Sequence, residues 1–178
     1  NGPNVSYRNE LYARREKCRS WFSEMRDDST GRSFRDINAS EFRLVSESTP
    51  EDIRRLCTHI ISENELVEEA KLQLRQGDVE ALGKTLNHSH ESLRDNYEVS
   101  CPEVDWLIKR AGEVEGIYGS RMAGPGFGGC TLSLIREESI PAYRENIVDY
   151  ERIFGFKPET FVFEPADGVK KTPTLVKP

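Results

Sequence analysis

The sequence predicts an α+β domain in which a helical block precedes a β-β-α-β run, most of a split βαβ (ferredoxin-like) unit with a mostly antiparallel sheet. Three observations carry this. Apolar residues recur at three- and four-residue steps in four stretches before Gly112. The period then turns strand-like after Gly112. A glycine-rich turn, Gly124 to Gly129, separates two short strand-like runs.

In chain order, residues 1–7 lack periodicity and read as a connection or an appended remnant. From Arg8 to Met25, Leu11, Arg15, Cys18 and Phe22 follow the helical period, so an amphipathic helix is expected with its charges outward. Residues 27–33 are a turn-forming cluster, and 34–49 read as loop and short helical turns. Thr49-Pro50-Glu51-Asp52 supplies a cap, a first-turn proline and acids that favour a helix start. The stripe Ile53, Leu56, Cys57, Ile60, Asn64, Val67 and Leu74 follows, until Gly77 stops the helix. Asp78 caps the next helix, which is expected to bury Val79, Leu82, Leu86 and Leu93. So short a connection predicts an antiparallel hairpin of helices.

Ser100-Cys101-Pro102-Glu103 has the S-x-x-E capping pattern and opens a helix with Val104, Leu107, Ile108 and Ala111 inward. Strands are expected over Ile117–Met122 and Thr131–Ile135. Ser139 caps a helix to about Phe154, with Ile140, Tyr143, Ile147 and Tyr150 inward. Gly155 ends it, and Thr160-Phe161-Val162-Phe163 reads as a third strand. The domain is thus expected over 8–168, with 169–178 a tail.

The bulk chemistry narrows the function. The 178 residues carry a formal charge of −6 with 36% hydrophobic and 31% charged residues. That balance argues against nucleic acid or an anionic membrane as partner, though a locally positive site for a phosphorylated ligand stays open. No run approaches a membrane span and no cationic, apolar start reads as a signal peptide, so a cytoplasmic protein is expected. Cys18, Cys57, Cys101 and Cys130 lack CxxC spacing and read as reduced, largely buried thiols. His88 and His90 point to nearly opposite sides of a helix and cannot easily share an ion, so no metal site is expected. His59 reads as surface or core-edge, Ser100 as a cap, and the acids of 63–69 as a solvated face.

The turn Gly124, Gly126, Gly128 and Gly129 holds more glycine than a hairpin needs. Two readings fit: a close backbone approach to a neighbouring loop, or a cradle for a ligand. The spacing is neither a P-loop nor a dinucleotide fingerprint. Arg121 beside it either faces a phosphate or pairs with a nearby acid.

The segment GIYGSRMAGPGFGGCTLSLI closely resembles the third conserved motif of galactokinases, within the GHMP family of small-molecule kinases. GDVEALGKTLNHSHESLRDNYEVSCPEVDWL resembles the helical stretch preceding that motif, and Arg14-Arg15-Glu16-Lys17-Cys18 the RRxxC helix that opens the family's carboxy-terminal half. The resemblance covers roughly 8–168. It implies a GHMP kinase carboxy-terminal domain with a large helical insertion. It also implies a parent enzyme that moves the γ-phosphoryl of MgATP to the anomeric hydroxyl of galactose. The family's sugar motif, serine-rich phosphate loop and catalytic aspartate are absent from this sequence. The chain alone is therefore expected to hold no catalytic residue, to bind no ATP or Mg2+ by itself, and to need an amino-terminal kinase domain as partner. Its share of the cleft is expected at Gly124, Gly126, Phe127, Gly128 and Gly129.

Several positions depart from the family. Ala123 and Pro125 stand where threonine and a small residue are usual, and Asn96 where aspartate is frequent. The register of a sugar-contacting tyrosine holds Leu11, with Tyr12 one place later and Tyr7 upstream, so Tyr12 is the candidate contact only if a local irregularity re-aims it. These departures leave room for a non-catalytic sugar and nucleotide sensor, or for a kinase of a related sugar such as N-acetylgalactosamine.

Overall fold

The computed structural model describes residues 4–25, 33–166 and 168. Most of the expected 27–33 turn and the 169–178 tail lie outside them. Helix α1 (Asn4–Met25) starts four residues before the periodic stretch, so part of the expected connection is helix. Cys18, Trp21 and Phe22 are buried and Leu11 is half-buried, but Arg15 is exposed. At about 100° per residue the buried stripe is centred between Cys18 and Trp21, which leaves Arg15 at its edge and brings Arg14 inside. A 3-10 turn (Phe34–Asp36) and helix α2 (Ala39–Val45) follow, as the short-turn reading of 34–49 expects.

Helix α3 (Glu51–Gln76) carries acids in its first turn and ends at Gly77 in a left-handed conformation, φ 69°. Its cap differs from expectation. Pro50 holds the cap position with no side-chain cap bond. The Thr49 hydroxyl instead accepts from Trp21 Nε1 at 2.8 Å, because a buried indole needs an acceptor. Helix α4 (Val79–Asp95) is capped by Asp78, which accepts from the Ala81 N–H at 2.9 Å.

The two long helices pair as expected, yet their seam is polar. Thr85 Oγ1 donates to Gln73 Oε1 at 2.9 Å, Ser89 Oγ to Glu63 Oε1 at 2.6 Å, and Ser92 Oγ lies 2.9 Å from His59 Nδ1. Of the apolar positions assigned to α4, Leu93 is buried, Leu82 and Leu86 are half-buried and Val79 is exposed. Val67 and Leu74 of α3 are exposed as well, against the expected inward stripe. Only one narrow side of α3's distal half, with Leu66, Ala70 and Gln73, is partly covered.

Helix α5 (Pro102–Gly112) has Cys101, not Ser100, at its cap position. The Ser100 hydroxyl is spent on Asp105 Oδ1 at 2.5 Å and makes no cap bond. Val104 and Ala111 are buried, Leu107 and Ile108 half-buried. Strands β1 (Ile117–Ala123) and β2 (Cys130–Ile135) form an antiparallel hairpin at the expected positions, with a bulge between Ile117 and Gly119. Helices α4 and α5 lie on β1. Glycine sets the closeness of α4: a Cβ on Gly83 would overlap the Tyr118 carbonyl, and one on Gly119 the Gly83 carbonyl. The core runs from Trp21, Phe22 and Phe42 through Cys57 and Ile61 to Val99, Val104 and Met122.

The helix expected from Ser139 to Phe154 is broken. A 3-10 turn (Glu137–Ser139) leads into α6 (Ile140–Asn146), and α7 (Tyr150–Phe154) follows after a gap. Asn146 Nδ2 donates to the Arg110 carbonyl at 2.7 Å, which ties the last turn of α6 to the end of α5. Ser139 makes no side-chain cap bond; its hydroxyl lies where a Cβ on Gly116 would be. The described residues divide into two compact units between Val148 and Asp149. In the second unit Tyr150 packs on Phe154 and, edge-on, on Phe156, with centroids 4.8 and 5.3 Å apart.

Among the described residues the sheet has two strands, and 160–163 is not a third. Phe161, Val162 and Phe163 are exposed instead. A strand needs a neighbour's free edge for its backbone groups, and no described strand pairs here. The α+β class with an antiparallel sheet stands, helix-rich and with a smaller sheet than expected.

Candidate functional site

The turn between β1 and β2 is built from left-handed residues. Gly124, Gly126, Gly128 and Gly129 have φ of 96°, 110°, 117° and 102°, and Phe127, which carries a side chain, has φ 61°. Two of these positions show why glycine is required. At Gly126 a Cβ would stand 2.6 Å from Val99 Cβ and 2.8 Å from the Val99 carbonyl oxygen. At Gly124 nothing lies within 4 Å of such a Cβ, so conformation alone demands glycine there.

The inner side of the turn is clamped. The Phe127 N–H donates to the Val99 carbonyl at 2.5 Å, and Val99 is 1% exposed. The Phe127 ring stacks on Tyr7 of α1, with centroids 5.0 Å apart and planes 12° apart. The outer side, Gly124, Pro125 and Gly129, is exposed. The backbone-approach reading therefore describes Gly126 and Phe127, while Gly124 and Gly129 present backbone to solvent. Pro125, between them, offers no amide.

Tyr12 lies elsewhere: it is 64% exposed. On a helix Tyr7 and Tyr12 point about 140° apart, so both cannot face the turn, and Tyr7 is the one that reaches it. Leu11 shares Tyr7's side of α1 and packs against the core.

Arg121 pairs with an acid. Its Nη2 lies 3.8 Å from Glu63 Oε2, and its Nε donates to the Met122 carbonyl at 3.1 Å. Glu63 is thus half-buried and engaged by Ser89 and Arg121, a correction to the reading of 63–69 as uniformly solvated. The histidines sit apart. His88 is exposed, whereas His90 is 2% exposed with Nε2 3.2 Å from Asp105 Oδ1, a distance without hydrogen-bond alignment. Burial lowers the His90 pKa and outweighs the opposing pull of the Asp105 carboxylate.

His59 is a core residue rather than a core-edge one. It is 6% exposed and stacked on Tyr97 at 4.5 Å. Burial, reinforced by the Arg121 charge, lowers its pKa to about 4. Cys18 and Cys57 are buried side by side, Cys101 is half-buried and Cys130 exposed. The neighbouring Cys18 thiol and burial push Cys57 well above the ordinary thiol range. Asn96 Nδ2 reaches Ser92 Oγ at 3.4 Å. Among the described residues no three His, Cys, Asp or Glu side chains converge as a metal site requires.

Known proteins match this arrangement. A family profile described as GHMP kinases C terminal matches residues 70–148, which include the hairpin and its glycine turn. The galactokinase of Roseiflexus sp. (strain RS-1) is 33% identical over 167 residues, 93% of this chain and 43% of that protein. The galactokinase of Homo sapiens is 37% identical over 138 residues, 78% of this chain and 34% of that protein. The crystal structure of Lactococcus lactis galactokinase complexed with galactose superposes with a TM-score of 0.78 at 28% identity, over 88% of this chain and 40% of that one. The chain spans less than half the length of these relatives. It carries a GHMP kinase C-terminal domain, and within that family it is similar to the galactokinases.

Proposed function

We propose that this chain is the carboxy-terminal part of a cytoplasmic sugar kinase that transfers the γ-phosphoryl of MgATP to the anomeric hydroxyl of galactose. The observation that carries the reading is the glycine turn, pinned at Gly126 and Phe127 and open at Gly124 and Gly129. Such a turn suits one wall of a nucleotide cleft, because open backbone without side chains lets a phosphate approach closely. MgATP, when bound, supplies the phosphoryl group and the metal charge that neutralises it. The turn would border that group, and its rigid inner side would hold the wall in place.

Among the described residues no three His, Cys, Asp or Glu side chains gather to hold Mg2+. On this reading, metal ligation, proton removal and the sugar's main contacts fall to an amino-terminal kinase domain, and the chain alone is inactive. A second reading has support from Leu11, Ala123 and Pro125. Leu11 is packed inward and Tyr12 outward, so the α1 position that would offer a tyrosine to a sugar offers none. That reading is a parent that binds sugar and nucleotide as a sensor, or that takes a related sugar.

Sugar-dependent ADP formation by the full-length parent separates these. Turnover with galactose well above N-acetylgalactosamine supports the galactokinase. A preference for N-acetylgalactosamine replaces the substrate, and galactose binding without turnover supports the sensor.

A further inference from the structure

The glycine turn is shaped from outside itself. Its Phe127 N–H is held by Val99, which lies in the connection 96–101 between α4 and α5. That connection contains Glu98, left-handed at φ 55°. A residue with a Cβ keeps such a conformation only where its surroundings impose it. Backbone bonds contribute, with the Val99 N–H donating to the Leu93 carbonyl at 3.0 Å, and one side chain adds two further bonds. Arg14 of α1 donates from Nε to the Tyr97 carbonyl at 2.9 Å and from Nη2 to the Glu98 carbonyl at 3.1 Å.

Glu10, one turn back, steadies the same guanidinium at 3.3 Å. Arg55 of α3 closes the connection from another side, bonded to the Asp95 carbonyl and 2.8 Å from the Glu98 carboxylate. Arg14 also lies 5.3 Å from the centroid of the Phe127 ring, the ring that stacks on Tyr7. A single planar cation thus touches both the connection that pins the turn and the turn's own aromatic residue.

We propose that Arg14 is the positioning residue of the glycine turn. By fixing the carbonyls of Tyr97 and Glu98 it sets the direction of the Val99 carbonyl, and the Val99–Phe127 bond passes that constraint to Gly124–Gly129. It acts through the turn and touches no reacting atom. Lysine cannot replace it, because an ammonium lacks the rigid fork that reaches two carbonyls at fixed separation. The consequence for nucleotide use rests on the reading of the turn as a cleft wall; the positioning role does not.

Hydrogen–deuterium exchange on this chain tests the role directly, comparing wild type, Arg14→Lys and the control Arg19→Lys. Arg19 is exposed on the same helix and, among the described residues, bonds to Glu16. Arg14→Lys should speed exchange about tenfold in peptides covering 97–99 and 124–130, with β1 residues 117–122 and the control unchanged. Unchanged exchange at 124–130 overturns the proposal, and so does equal acceleration across the chain, which would mark a general loss of packing. In the full-length parent, Arg14→Lys should raise KM for ATP about tenfold while KM for the sugar stays within about twofold. A loosened turn with an unmoved KM for ATP overturns the stated consequence. A wild-type parent without turnover overturns the kinase reading and leaves the exchange result standing.

Discussion

At Gly126 two demands coincide, a φ of 110° and a buried neighbour that cannot retreat, whereas Gly124 meets only the first. Gly126→Ala should therefore cost about 3 kcal/mol and Gly124→Ala about 1 kcal/mol in urea denaturation. Equal losses would contradict the clamped-inside, open-outside description of the turn. His59 makes a separate prediction. Burial lowers its pKa from 6.5 in the unfolded chain to about 4 in the folded one. Between those values the unfolded chain binds more protons, so the stability of the neutral, buried ring is complete above 6.5 and is lost as pH falls towards 4. The loss amounts to about 3 kcal/mol. His59→Asn should lower stability at neutral pH and flatten this acid slope. An unchanged slope would show that other groups produce it.

At the scale of elements, legibility followed whether the signal was local. Gly77 and Asp78 marked a helix end and a helix start because their chemistry acts on adjacent backbone. The hairpin and its glycine turn were legible for the same reason. Thr49 and Ser100 misled, since each hydroxyl is claimed by a distant or sideways partner, Trp21 and Asp105, that sequence order does not reveal. The seam of α3 and α4 was hidden because serine, threonine and glutamine carry no apolar period. The 160–163 segment failed because strands depend on partners. The turn residues of the candidate site could be named in advance, but not the contacts that Tyr7 and Arg14 make with them. Arg14 had two visible signals, its place in the RRxxC motif and its position between Leu11 and Cys18 on the buried stripe. The exposed distal half of α3 gives the element-scale prediction. Leu74→Glu and Val67→Glu should each change stability by less than about 0.5 kcal/mol. A loss of about 2 kcal/mol at either would show that a buried stripe does run the length of α3.

For the whole molecule, the sequence profile, the galactokinase relatives and the antiparallel α+β fold agree on a GHMP kinase C-terminal domain. The chain corresponds to less than half of those relatives' length, and under the proposed function its turn is one wall of a site whose chemistry lies elsewhere. Phosphoryl transfer depends on several groups held at once around one phosphorus, and a turn of glycines supplies shape without a base or a metal ligand. The most direct measurement is galactose-dependent ADP formation, assayed for this chain alone and for the same chain joined to its parent's amino-terminal kinase domain. The account predicts no turnover from the chain alone and steady turnover once the two halves are joined. Turnover by the isolated chain, or none by the joined protein, would contradict it.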